Sequence, residues 1–183
     1  PDTELLIEKI LKIYSNKSQL QILDIGTGSG CIILSLLKAR KKDYGTGIDI
    51  SKKSINVSKI NAKLLNLSNR TKFFHSSIDN FNIGKYDLIV SNPPYIELLN
   101  LKYLEKDVVN FEPKLALNGG LDGFSKIKTV ISKASSLLKK KGKLILESGF
   151  NQKDKVKEML KKKGFYVNHT FQDHGNNDRC IIS

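Results

Sequence analysis

Short apolar runs alternate along this chain with longer segments whose apolar residues recur every three or four positions, the pattern of a parallel sheet carrying helices on its faces. The runs are Gln21–Ile25, Tyr44–Ile50, Lys72–His75, Tyr86–Ser91 and Lys143–Ser148. Helices are expected over Thr3–Tyr14, around Ile32, Ile33, Leu36 and Leu37, and over Ser51–Leu67 with Ile55, Ile60, Leu64 and Leu67 as its apolar face. Two more run from Ser125 to Lys140, stopping at Gly142, and from Asp154 to Lys163, stopping at Gly164. Phe165–Phe171 and Arg179–Ser183 read as a closing antiparallel pair. Residues 96–118 have no strong period and are expected to form a substrate-facing loop with short helices.

Two strand ends carry candidate chemistry. The first strand runs into Gly26-Thr27-Gly28-Ser29-Gly30 and then a helix, the opening of a Rossmann-like unit in which glycines allow a tight turn and close approach of a ligand. The next strand ends near Asp49, about 20 residues past the glycines, where such folds place a carboxylate that accepts from ribose hydroxyls. The plainer alternative is that Asp49 merely helps cap the following helix, with Ser51 itself a good N-cap. The third glycine comes one position too early for a dinucleotide fingerprint, which disfavours NAD or FAD.

The fourth strand ends in Asn92-Pro93-Pro94-Tyr95. Proline has no backbone donor and a fixed φ, so this rigid turn can offer the side-chain oxygen of Asn92 and the main-chain oxygen of Pro93 as acceptors. Each could take one hydrogen of an NH2 group while the Tyr95 ring packs on the planar group bearing it, which points to an amide or an amino-substituted base. An ordinary Asn-Pro turn is the plainer reading.

Composition narrows the remainder. A chain of 183 residues with 39% hydrophobic content suits one domain with a sizeable core. No apolar stretch approaches the roughly 18 residues of a membrane span and no signal peptide is apparent, so no membrane partner and a cytoplasmic location are expected. Cys31 and Cys180 lack metal or redox spacing and are expected to be buried thiols; His75, His169 and His174 are scattered, and no metal site is assigned. The net charge of +13 is compatible with direct nucleic-acid binding but does not require it, because the lysine runs at 41–42, 139–141 and 161–163 fall at expected helix ends.

Taken together, the glycine loop, Asp49 and the Asn-Pro-Pro-Tyr turn resemble the S-adenosylmethionine-dependent amino-methyltransferases. Pro1-Asp2-Thr3-Glu4, Asp107-Val108, Phe111-Glu112-Pro113, Ala116-Leu117, Gly119 to Gly123, Glu147-Ser148-Gly149 with Gln152, and Asp173 with Arg179 extend the resemblance, over essentially the whole chain, to the release-factor glutamine methyltransferases, the HemK or PrmC family. The resemblance implies a Rossmann-like class I fold with seven strands, mostly parallel, and an antiparallel C-terminal hairpin. It also implies S-adenosyl-L-methionine as cofactor and, as substrate, the glutamine of the Gly-Gly-Gln motif in peptide chain release factors.

By the same resemblance Gly26, Thr27, Gly28, Ser29, Gly30 and Asp49 contact the cofactor, Ser77 its adenine side with Asp79 as an alternative, and Asn92 lies near the methyl group. Asn92, Pro93, Pro94 and Tyr95 are then the catalytic and substrate-binding residues. Phe111, Glu112 and Pro113 either shape the substrate side or anchor the loop. The family carries a helical N-terminal domain that grips the release factor, so residues 1–183 are expected to be the catalytic domain alone. Two other readings stand beside this one: an amino-methyltransferase acting on a DNA or RNA base, and a non-catalytic cofactor-binding module.

Overall fold

The computed structural model describes residues 2–15, 19–95, 120, 122–149, 151–172, 175 and 177–183. In chain order the elements are α1 (Asp2–Ile13), β1 (Gln21–Ile25), α2 (Cys31–Ala39), β2 (Tyr44–Asp49), α3 (Lys52–Leu64), a 3-10 turn (Ser68–Arg70), β3 (Thr71–His75) and β4 (Tyr86–Ser91). There follow α4 (Ser125–Leu137), β5 (Leu138–Glu147), α5 (Lys153–Lys162), β6 (His169–Gln172) and β7 (Asp178–Ile182).

The seven strands form one sheet in the order β3-β2-β1-β4-β5-β7-β6. β1 to β5 are mutually parallel, while β7 runs antiparallel to both β5 and β6. This is the expected architecture, and its mechanism is visible in the alternation of side chains. Ile22, Leu88, Val90, Ile145, Cys180 and Ile182 point to one face, where α1 and α2 and the end of α3 cover them with Leu6, Ile10, Ile33, Leu36, Leu37 and Ala62. Their chain neighbours Leu23, Ile89, Leu144, Leu146 and Ile181 point to the other, against Ile127, Val130, Ile131 and Ala134 of α4 and Val156 and Leu160 of α5. Burial on both faces is why the strands read as continuous apolar runs.

Three expectations are corrected. Ile55 and Leu67 are buried as expected, but Ile60 and Leu64 are exposed, 59% and 74% respectively, and α3 buries Ser58 and Ala62 in their stead. Small residues are needed there because the helix presses on the glycine loop: a Cβ built on Gly30 would lie 3.2 Å from Ser58 Cβ. Cys31 is exposed, since it opens α2 away from the stripe that faces the sheet; Cys180 is buried, and that burial pushes its thiol up to about 12. The helix α4 ends at Leu137, so Lys139, Lys140 and Lys141 lie within β5 rather than at a helix end. There the pairing jumps from Tyr86↔Leu138 to Leu88↔Lys143, and the extra residues loop outward through Lys141 at φ 68°, leaving the lysines in solvent.

Candidate functional site

Between β3 and β4 the chain crosses from one side of β1 to the other, so the segments leaving β1 and β4 diverge and open a crevice at their carboxyl ends. Both candidate motifs leave the sheet here. Ile25 and Ser91, the last residues of these strands, are register partners, and the Ser91 hydroxyl donates to the Ile25 carbonyl at 2.7 Å. The glycine loop and the Asn92 turn therefore start side by side from one buried hydrogen bond. Asp49 closes β2 and Ser77 follows β3 at the same end of the sheet, with Asp49 in register with His75. The structure thus brings Gly26 to Gly30, Asp49, Ser77 and Asn92 to Tyr95 to the ends of four adjacent parallel strands. Phe111, Glu112 and Pro113, with the rest of residues 96–119, lie outside the described residues, as do Pro1 and Asp173.

The glycine loop is wound tightly and left open above. Gly26 and Gly28 take φ values of 75° and 56°, and a Cβ on either would meet nothing within 4 Å. The N–H groups of Gly26 and Thr27 both donate to the Ile48 carbonyl at 2.9 Å, and that of Gly28 to Asp49 Oδ2 at 2.9 Å. Asp49 Oδ1 accepts from Ser51 N–H at 2.8 Å, while the Ser51 hydroxyl caps α3 through Ser54 N–H at 3.1 Å. Asp49 accordingly braces the loop and the helix start together, and its half-buried carboxylate keeps lone pairs for a ligand's hydroxyls. Asn61 completes the brace by donating to the Ser29 carbonyl at 2.9 Å. Ser77 is half-buried and its hydroxyl accepts from Asn80 N–H at 3.4 Å; Asp79 is exposed.

Asp24 is a site residue that motif reading passed over. It is fully buried beneath the loop, where Oδ2 accepts from the Thr27 hydroxyl at 2.8 Å and Oδ1 has no hydrogen-bond partner. Burial pushes its carboxyl up to about 7; the Thr27 hydroxyl and the Ile33 backbone amide pull the other way, and the charge of Asp49 adds to the rise. The available signal was a carboxylate in the middle of an otherwise apolar strand, a position that packing alone does not explain.

Gly47 keeps this arrangement in place. A Cβ there would stand 2.7 Å from the Phe73 ring and 2.8 Å from Thr27 Oγ1. Gly47→Ala should therefore displace Thr27 from Asp24 and lower stability by about 1–3 kcal/mol, read as a shift in the urea midpoint at unchanged slope. A midpoint equal to that of the wild type would refute this account.

The Asn92 turn is held differently. Asn92 and Tyr95 are half-buried and Pro93 is buried, with the Tyr95 ring against the core under α4 and α5. The turn thus sets Asn92, Pro93 and Tyr95 beside the glycine loop. Among the described residues no three His, Cys, Asp or Glu side chains come together as metal ligands, and no helix is long and apolar enough to cross a membrane.

Residues 16–180 match the family described as a methyltransferase domain. The chain is 43% identical, over its whole length and 65% of the relative's, to a release factor glutamine methyltransferase of Buchnera aphidicola subsp. Schizaphis graminum. It is 36% identical over 99% of its length to 33% of a bifunctional methyltransferase of Rickettsia bellii. Among solved structures, ribosomal protein L11 methylase from Lactobacillus delbrueckii subsp. bulgaricus superimposes with a TM-score of 0.69 at 20% identity, covering all of this chain and 76% of that one. Magnesium protoporphyrin IX methyltransferase from Synechocystis PCC 6803 with bound SAM gives 0.68 at 18%, covering 99% and 78%. These two share the fold. The chain spans 65% of the length of its Buchnera relatives. A match running from before β1 into β7, across every residue of the crevice, means that this chain belongs to the methyltransferase domain family.

Proposed function

We propose that this domain transfers a methyl group from S-adenosyl-L-methionine to the side-chain amide nitrogen of the glutamine in the Gly-Gly-Gln motif of peptide chain release factors. The observation that carries the reading is the Ser91–Ile25 hydrogen bond, which sets an acceptor turn for an NH2 group beside a glycine loop built for a ligand. The substrate class follows the relatives of 43% and 37% identity named release factor glutamine methyltransferase.

The crevice suits the cofactor on its own evidence: open space above Gly26 and Gly28, a carboxylate at Asp49 that retains lone pairs, and the unpartnered buried oxygen of Asp24. Held by the Gly26–Gly30 loop and Asp49, S-adenosylmethionine would supply an electrophilic sulfonium methyl for the amide nitrogen, the displaced N–H proton passing to water. The chain's part is positioning. An amide nitrogen is a poor nucleophile because its lone pair is delocalised into the carbonyl. The oxygens of Asn92 and Pro93 accept its two hydrogens, fix its plane and stabilise the positive charge that develops on nitrogen. Ser77 lies on the adenine side, and the Tyr95 ring packs on the glutamine amide. Residues 1–183 constitute the catalytic domain, and the protein acts in the cytoplasm during translation termination.

The test is methyl transfer from labelled S-adenosylmethionine by the full-length protein, offered a release factor, its Gln→Ala variant in the Gly-Gly-Gln motif, duplex DNA and RNA. Label on the unmodified factor alone is expected. Label on nucleic acid, which the basic charge would favour, would move the substrate to a base. Cofactor binding without transfer to any of them would make the domain a non-catalytic module.

A further inference from the structure

The Asn92 turn has a second anchor, on the far side from the glycine loop. Gln152 is 6% exposed and stands at the N-cap of α5, yet its side chain folds back toward the turn. Its Oε1 accepts from Gly149 N–H at 3.0 Å, and its Nε2 donates to the carbonyls of Tyr95 at 3.1 Å and Gly123 at 3.3 Å. One buried amide thus joins the segment after β5, the entry to α4 and the end of the turn, with both its hydrogens used. Beneath it Gly149 leaves room for the Tyr95 ring, since a Cβ there would lie 3.3 Å from Tyr95 Cδ2 and 3.2 Å from Gln152 Oε1. The two prolines have no N–H with which to brace the turn from within, so its C-terminal end depends on such outside contacts.

We infer that Gln152 is a positioning residue for methyl transfer, holding the Tyr95 carbonyl so that the acceptor oxygens of Asn92 and Pro93 keep their spacing. This rests on the reading of that turn as the cradle of the methyl acceptor. The requirement is for a donor: glutamate would still accept from Gly149, but its carboxylate would set an oxygen against the carbonyls of Tyr95 and Gly123. A protonated glutamic acid regains one donor and should restore the Tyr95 contact.

The decisive comparison is Gln152→Glu against wild type in the full-length protein. At pH 8 the variant should lose at least about tenfold in kcat while the Kd for S-adenosylmethionine stays within about twofold. The ratio of variant to wild-type kcat should climb as pH is lowered toward 6, which general loosening of the fold would not produce. Hydrogen exchange at the Tyr95 amide, measured without any acceptor, should be faster in the variant at pH 8. Wild-type kcat, a loss of cofactor affinity equal to the loss of kcat, or unchanged exchange at Tyr95 would each overturn the assignment. Should wild type leave the release factor unlabelled, the substrate reading fails, and the exchange comparison still decides the role of Gln152.

Discussion

Alanine in place of Asn92 should lower methyl transfer to the release factor by about a hundredfold or more while changing cofactor affinity by less than about threefold. Removing one preorganised polar group from a site where charge develops costs on the order of 3 kcal/mol of transition-state stabilisation. Here the loss falls on the acceptor alone. The glycine loop is braced by hydrogen bonds with Ile48, Asp49 and Asn61. Asn92→Asp retains an acceptor in the same place and adds a charge, so it should keep more activity than the alanine variant. Steady-state kinetics beside calorimetric titration of the cofactor separate the two quantities, and unchanged turnover in Asn92→Ala would remove Asn92 from the mechanism.

The second large effect concerns pH. The Asp24 carboxyl has its folded pKa raised to about 7 from an ordinary value of 3.8, so the folded protein holds a proton there that the unfolded chain releases. The stability tied to that proton is fully present below about pH 4 and is lost as pH rises toward and through about 7, a change on the order of 4 kcal/mol in the absence of cofactor. An asparagine side chain at this position would keep an oxygen to accept from Thr27 and could not ionise. Asp24→Asn should therefore be more stable than wild type at pH 8, with the difference shrinking steadily as pH falls toward 4. Taking the difference between the two proteins at each pH cancels the other carboxylates. The same substitution should weaken cofactor binding at pH 8, because it removes a negative charge from beneath the loop. A stability difference that does not vary with pH would mean that Asp24 is not protonated in the folded domain.

Much of this molecule is written locally. Residues buried on both sheet faces announce β1, β4 and the second half of β5, and glycine and proline mark the two candidate turns, because those conformations admit few other residues. What stayed hidden depends on approach between distant segments. The α3 face differs from the expected one because Ile60 and Leu64 are the apolar residues in reach, whereas the close approach to Gly30 demands the smaller Ser58. The end of α4 was misplaced because lysines suit a helix terminus and a solvated bulge equally well. Asp24 and Gln152 are single polar residues whose meaning comes from burial and from partners as far as 57 positions away, and no spacing rule reports that.

The place of β7 bears on how the domain is made. It lies inside the sheet, between β5 and β6, yet it comes after both in the chain. As the polypeptide leaves the ribosome, β5 must wait with one edge unpaired, and β6 has no neighbour on the sheet, until residues 178–182 emerge. Every nascent chain stopped short of Asp178 thus carries an exposed apolar strand edge, and substitutions that slow the docking of β7 should be felt first as poor yield from cells rather than as a defect in the purified protein.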